Sequence, residues 1–195
     1  FVSPTASIDV VGSPGNSYEL IIDLYTEFED DGDVELEDGK LSTWSHVDGA
    51  MLVNGIRGRL PEGVNLDIRA GTGDVMLTSF ISSGLLKVEN GTGSVSVKAC
   101  DVDRISVDSG TGEARLANCT ARSVRVKLGI GSLGAIGCVL GDFSGDSGTG
   151  DFLFEDSRID KASFASSVGD VRLTDTLVSS LSNSLGTGQV QVQTT

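Results

Sequence analysis

Along most of the chain, apolar residues come in pairs, one polar residue apart, on both sides of a glycine-rich tripeptide. Before it stand Leu66/Ile68, Leu86/Val88, Ile105/Val107 and Val124/Val126, loosening to Phe143/Gly145, Ala162/Phe164 and Leu181/Asn183. After it stand Val75/Leu77, Val95/Val97, Ala114/Leu116, Leu133/Ala135, Phe152/Phe154, Val171/Leu173 and Val190/Val192. A third apolar column falls at Val102, Ala121, Leu140, Ile159 and Val178. Alternation of period two sends successive side chains to opposite faces, so these segments read as short strands with one face buried. The spacing of three and four that an amphipathic helix requires is missing.

The tripeptide Gly-Thr-Gly begins at Gly71, Gly91, Gly110, Gly148 and Gly186, at intervals of 20, 19, 38 and 38 residues. Each interval of 38 holds a degenerate copy at its middle, Gly129-Ile130-Gly131 and Ser167-Val168-Gly169. Strands that recur every 19 residues in one phase can stack on themselves. The pattern therefore predicts an all-β fold, a single-stranded parallel β-helix of about seven 19-residue coils. Right-handed winding follows from the near-universal hand of parallel crossovers. At roughly 4.8 Å per coil the rod is about 30–35 Å long. A sharp corner in every coil needs positive φ or close backbone approach, and a Cβ there would collide with the stacked coil. Propeller blades of about 40 residues do not match this period.

Residues 1–63 lack the repeat. Alternating segments at Ser7–Val11, Tyr18–Tyr25, Lys40–Trp44 and Ala50–Val53 are separated by turn signals, among them Asp31-Gly32, Asp38-Gly39 and Asp48-Gly49. We read 1–63 as an N-terminal β-strand cap and 64–195 as the β-helix, forming one continuous structural unit. Such a cap covers the hydrophobic cross-section of the first coil. The C-terminal strand Gln189–Gln193 has no covering segment, so the rod is expected to end against a partner or to continue past Thr195. A start at Phe1 is consistent with a removed signal or a truncation.

Cys100, Cys119 and Cys138 are spaced by 19 and 19, in a column that continues as Phe80, Ser157, Thr176 and Thr195. The thiols are expected to stack at an interior corner as small buried side chains. Three thiolates spread over two coil rises cannot converge on one zinc ion at about 2.3 Å. A disulfide between neighbours fits its dihedral poorly.

Charge narrows the function. The 14 basic and 28 acidic side chains give a net charge of −14, which leaves no basic stripe for nucleic acid. No apolar run is long enough to span a membrane. In the outward column Arg69, Glu89, Asp108, Lys127, Asp146 most neighbours are opposite in sign, which reads as a surface ion-pair ladder. Arg57, Arg59 and Arg69 are the basic concentration at the junction; an acidic glycan could meet them, and packing around the acidic loop reads equally well. After each turn come Asp74, Ser94, Glu113, Ser132, Asp151, Asp170 and Gln189. Asp151 and Asp170 are stacked neighbours that could share a cation, although turn-forming Asp is the plainer reading. Asp30, Asp31 and Asp33 lie in an acidic run whose spacing misses the EF-hand order. These five are weak metal candidates; no cofactor and no catalytic residue is expected. The single histidine, His46, sits in the cap region and reads as a surface residue. Asn90-Gly91-Thr92 and Asn118-Cys119-Thr120 fit the glycosylation pattern but lie inside the repeat.

The segment Gly58 to Val75, with Leu60-Pro61-Glu62-Gly63 followed by Gly71-Thr72-Gly73-Asp74-Val75, resembles the adhesin β-helix family. This is a domain class of unknown function in which the adhesin name is itself an inference. Its pattern is a Leu-Pro-x-Gly step and strands separated by Gly-Ser/Thr-Gly-Asp-Val turns, and the likeness covers about residues 5–195. The head domain of auto-transporter adhesins and the bactofilins are similar in coil pattern only. The resemblance implies a prokaryotic, exported or tethered protein at the cell surface with no catalytic residues to carry over. The expected function is a non-enzymatic binding or adhesion module, with a protein or glycan partner. Two alternatives are a scaffold assembling end to end through its C-terminal coil, and a cation-dependent polysaccharide-active enzyme.

Overall fold

The computed structural model describes residues 2–26, 32–37, 40–45 and 51–193. Its strands run in chain order. β1 (Val2–Thr5) and β2 (Ser7–Ser13) come first, then β3 (Glu19–Thr26), the hairpin β4 (Gly32–Glu37) and β5 (Lys40–Ser45), and β6 (Met51–Pro61). Long and short strands then alternate: β7 (Leu66–Thr72) and β8 (Val75–Thr78), β9 (Ile81–Thr92) and β10 (Val95–Lys98), β11 (Asp101–Thr111) and β12 (Ala114–Ala117). The series continues with β13 (Thr120–Ile130), β14 (Leu133–Ile136), β15 (Val139–Thr149) and β16 (Phe152–Glu155). It closes with β17 (Arg158–Val168), β18 (Val171–Thr174), β19 (Leu177–Thr187) and β20 (Val190–Gln193).

Long strands stack into an eight-stranded sheet and short ones into a ten-stranded sheet, so each coil contributes one strand to each. Pairing is parallel with an offset of 19, as in Val107↔Val126 and Val126↔Gly145. The predicted all-β solenoid of about seven coils is what the chain forms. The extra residue between Gly71 and Gly91 is absorbed at Ser83–Gly84, where the register of β9 against β11 shifts. There the Gly84 N–H donates to Ser82 Oγ at 3.1 Å and the Leu85 N–H to Asn65 Oδ1 at 2.8 Å.

The base differs from the sequence reading. β1 and β2, assigned above to the cap, occupy the register of a coil: Val2 pairs with Arg69 and Ile8 with Val75. The chain then leaves the stack and returns as β6, which pairs parallel with β2 and antiparallel with β3. Pro61 ends β6, and Gly63, at φ 79°, starts the ascent with its N–H on Ile81 O at 2.8 Å.

The core is the inward half of every strand. Ile68, Leu77, Val88, Val97, Val126 and Leu133 are fully buried. Each coil has two corners. At the glycine corner the second glycine has φ between 130° and 153° from Gly73 to Gly188, a region that residues with a Cβ avoid. At the other corner sits a left-handed residue: Ser79, Ala99, Asn118, Gly137, Asp156 or Asp175, with φ from 46° to 64°. Asn, Asp and Gly suit that conformation; Ala99 does not, at a cost of about 1–2 kcal/mol. Ala99→Gly should therefore raise the unfolding free energy by about 0.5–1 kcal/mol, read in urea titration as a higher midpoint at unchanged slope, after glycine's entropy is counted.

Candidate binding site

The outer face of the short-strand sheet carries the columns Met76, Ser96, Arg115, Gly134, Leu153, Arg172, Gln191 and Thr78, Lys98, Ala117, Ile136, Glu155, Thr174, Gln193. Gly134 has no side chain between Arg115 of the preceding coil and Leu153 of the next. The result is a groove of about 580 Å³ centred on β14. Its apolar walls are Ala117, Ile136 and Leu153, of which Ile136 is 51 % and Leu153 41 % exposed. Lys98, Arg115 and Arg172 stand around it with Glu113 and Glu155. Arg115 is held by Glu113 at 2.6 Å, while Arg172 Nε donates to Gln191 Oε1 at 3.4 Å. Among the described residues neither Lys98 nor Arg172 makes an ion pair within 4 Å.

The acidic column beside the glycine corner is occupied otherwise. In a parallel ladder alternate N–H groups face up and down the stack. The Val171 N–H donates upward to Gln189 O, whereas that of Asp170 faces down and finds Asp151 Oδ1 at 2.8 Å. In the same way Gln189 N–H donates to Asp170 Oδ1 at 2.9 Å, Ser94 N–H to Asp74 Oδ1 at 2.7 Å, and Asp151 N–H to Ser132 Oγ at 3.0 Å. Asp151 and Asp170 thus cap the next coil's backbone. Among the described residues no three His, Cys, Asp or Glu side chains are grouped to hold a metal ion. Asp30, Asp31 and His46 lie outside the described residues, as does the side chain of Asp33, whose backbone belongs to β4.

Cys100, Cys119 and Cys138 are free thiols, all buried, on three successive coils. Each sulfur lies near the carbonyl two residues earlier: Lys98 O at 3.2 Å, Ala117 O at 3.4 Å and Ile136 O at 3.4 Å. The hydroxyls that continue the column do the same, Ser157 Oγ donating to Glu155 O at 2.8 Å and Thr176 Oγ1 to Thr174 O at 2.9 Å. From Cys100 to Thr176 the column shares a small donor that closes the left-handed corner, which is why Cys gives way there to Ser and Thr, whereas Phe80 at its foot fills the corner with a ring. Contact with Cys119, then burial, lifts Cys100 and Cys138 above the ordinary thiol range. The S–H groups of Cys100 and Cys138 pull Cys119 down against the same burial. Enclosure decides reactivity here: iodoacetamide at pH 8 should leave the native protein unlabelled by mass spectrometry and add three groups after guanidinium unfolding.

The family model of Toastrack DUF4097 matches residues 23–194. The chain belongs to that family. No curated protein and no solved structure matches it. The Toastrack solenoid is a domain of unknown function, so its name adds the repeat architecture and no chemistry.

Several sequence-level readings change within this Toastrack domain. The outward charge column forms one pair across coils among the described residues, Arg69 Nε to Glu89 at 3.3 Å, and Lys127 has no ion pair with Asp108 or Asp146. Arg69 also donates to Asp67 and holds that carboxyl below the usual range. Arg57 and Arg59 lie on β6 in the short-strand sheet and Arg69 on β7 in the long-strand sheet, so they do not form one basic patch. Asn90 is buried, its amide donating to Gly73 O at 3.2 Å and Gly93 O at 3.0 Å, which rules out a glycan there. The groove escaped the sequence reading. Its signal was a glycine out of phase with the turns, at an outward position where Met76, Arg115 and Leu153 have long side chains.

Proposed function

We propose that the protein is a non-enzymatic binding scaffold that presents its flat outer faces to a protein or glycan on the outside of a prokaryotic cell. The observation that carries this reading is the groove on the short-strand sheet: exposed apolar walls with cations around them, set in a rigid stack. The two stacked carboxylates that chemistry would need, Asp151 and Asp170, are taken up as acceptors for backbone N–H groups. That weighs against the cation-dependent polysaccharide enzyme. Labelled protein on glycan and peptide arrays should bind a defined subset saturably; silence on both would end the proposal.

A second reading, self-assembly through the last coil, is favoured by one observation. Leu181 and Val192 occupy inward positions, paired with Ala162 and Leu173, yet are 41 % and 61 % exposed. Among the described residues β19 and β20 are paired on one side, and their other edges could pair with those of a second copy. Sedimentation equilibrium that stays monomeric across the accessible concentration range would dispose of it.

A further inference from the structure

We propose that the dent over Gly134 is a peptide-docking site, taking an apolar side chain of a partner protein with an acidic residue beside it. This rests on the binding reading above and gives it a place and a ligand class. The argument begins with what the fold does not require. Gly134 lacks positive φ, and a Cβ added to it would meet nothing within 4 Å. The turn glycines are the opposite case: a Cβ on Gly131 would lie 1.9 Å from Gly112 O, and one on Gly150 2.0 Å from Gly131 O. A glycine in a strand interior weakens the strand, and one that neither conformation nor packing demands marks close approach from outside.

The surroundings specify the visitor. Leu153 and Ile136 wall the dent with exposed aliphatic surface, and no exposed aromatic ring lines it, so the flat platform that holds pyranose rings is missing. A knob of aliphatic or aromatic side chain fills such a depression, while the missing Cβ lets a second backbone approach the sheet. Lys98 and Arg172, without ion pairs among the described residues, and Arg115 stand within a chain of net charge −14. A carboxylate flanking the apolar anchor complements them. Long-range repulsion from the rest of this acidic surface would select against partners that are acidic elsewhere, so the acidic residues of the partner should be few and adjacent to the anchor.

The test is selection of a random-peptide phage library on the immobilised protein, followed by fluorescence polarisation of the synthesised winners against wild type, Gly134→Thr and Arg172→Glu. Selected peptides should carry an apolar residue flanked by Asp or Glu. Gly134→Thr should weaken them at least about tenfold while raising the melting temperature, because threonine suits a strand and the space is open. Arg172→Glu should weaken them and reduce the salt dependence. Winners without acidic residues, winners that bind Gly134→Thr as tightly as wild type, or no enrichment at all would overturn the site. Tight binding to Gly134→Thr would nevertheless leave the broader binding role standing, whereas no enrichment of peptides together with silence on the glycan arrays would remove both. A lower melting temperature for Gly134→Thr would show that the glycine serves the fold and would withdraw the premise.

Discussion

Gly131→Ala is expected to cost about 4 kcal/mol or more, at the extreme end of single substitutions. Two independent penalties coincide at this residue. Its φ of 149° lies where only glycine is comfortable, and the added Cβ would sit 1.9 Å from the carbonyl oxygen of Gly112, a backbone atom held in the sheet that cannot swing aside. Relief requires the corner to open, which breaks the Gly131 N–H bond to Thr149 O and the Gly112 N–H bond to Ile130 O on either side. Because each coil contacts only its neighbours, the damage divides the stack in the middle. Urea unfolding should show a collapsed midpoint or two transitions. The adjacent Ile130, outward and 61 % exposed, is the control: Ile130→Thr should stay within about 0.5 kcal/mol of wild type. If Gly131→Ala melted like that control, the stacking account of the glycine corner would be wrong.

Phe164→Ala is expected to cost about 3–5 kcal/mol. Phe164 is 1 % exposed and touches three other rings, with centroids 5.4 Å from Phe143, 5.2 Å from Phe152 and 5.5 Å from Phe154. Phe143 and Phe154 complete the cluster edge to face at 5.0 Å. The volumes are matched across coils. Gly145 pairs with Phe164 in the ladder, and a Cβ there would strike Phe152 at 2.5 Å and Phe143 at 3.0 Å. Truncating Phe164 therefore leaves a void between rigid coils that cannot close over it. Hydrogen exchange should locate the loss in β15 to β20, with the coils below Thr120 keeping their protection. Uniform loss of protection along the rod would contradict nearest-neighbour stability.

Period, register and core were legible in the sequence because stacking forces chemically similar residues into columns. Val107, Val126 and Gly145 can be aligned by counting, and the loosened coils near Phe143 and Phe164 are explained by compensating volumes. The left-handed corner was not legible. It is met by Ser79, Ala99, Asn118, Gly137, Asp156 and Asp175, a set with no common side chain, since the requirement there is for φ alone. The lowest coil was hidden for a related reason. Its corner residue is Ala6, which stands where Gly73 stands one coil higher. Glycine is needed where the corner of a coil lies beneath; below Ala6, among the described residues, the stack is continued by β6, which pairs with β2 from Ser7 onward, so the signature disappears at the point where it would have marked the start. The thiol column was placed by counting, but its role as carbonyl donor needed the geometry of Ser157 and Thr176. The groove needed both: a position without a side chain, and the knowledge that nothing in the fold asks for that.

The placement of β2 between β6 and β8 sets the order in which the molecule can be built. Both of its partners come from much later in the chain, the nearer of them separated from it by 48 residues in register (Ser7 with Gly55) and the other by 67 (Ile8 with Val75). During synthesis β2 must therefore wait, unpaired, until Pro61 has emerged, and for its second partner until Thr78. Closing those two long loops is the slow, entropically expensive step. Each coil above needs only the one below it, so once this foundation is laid the remainder winds on as fast as it is delivered.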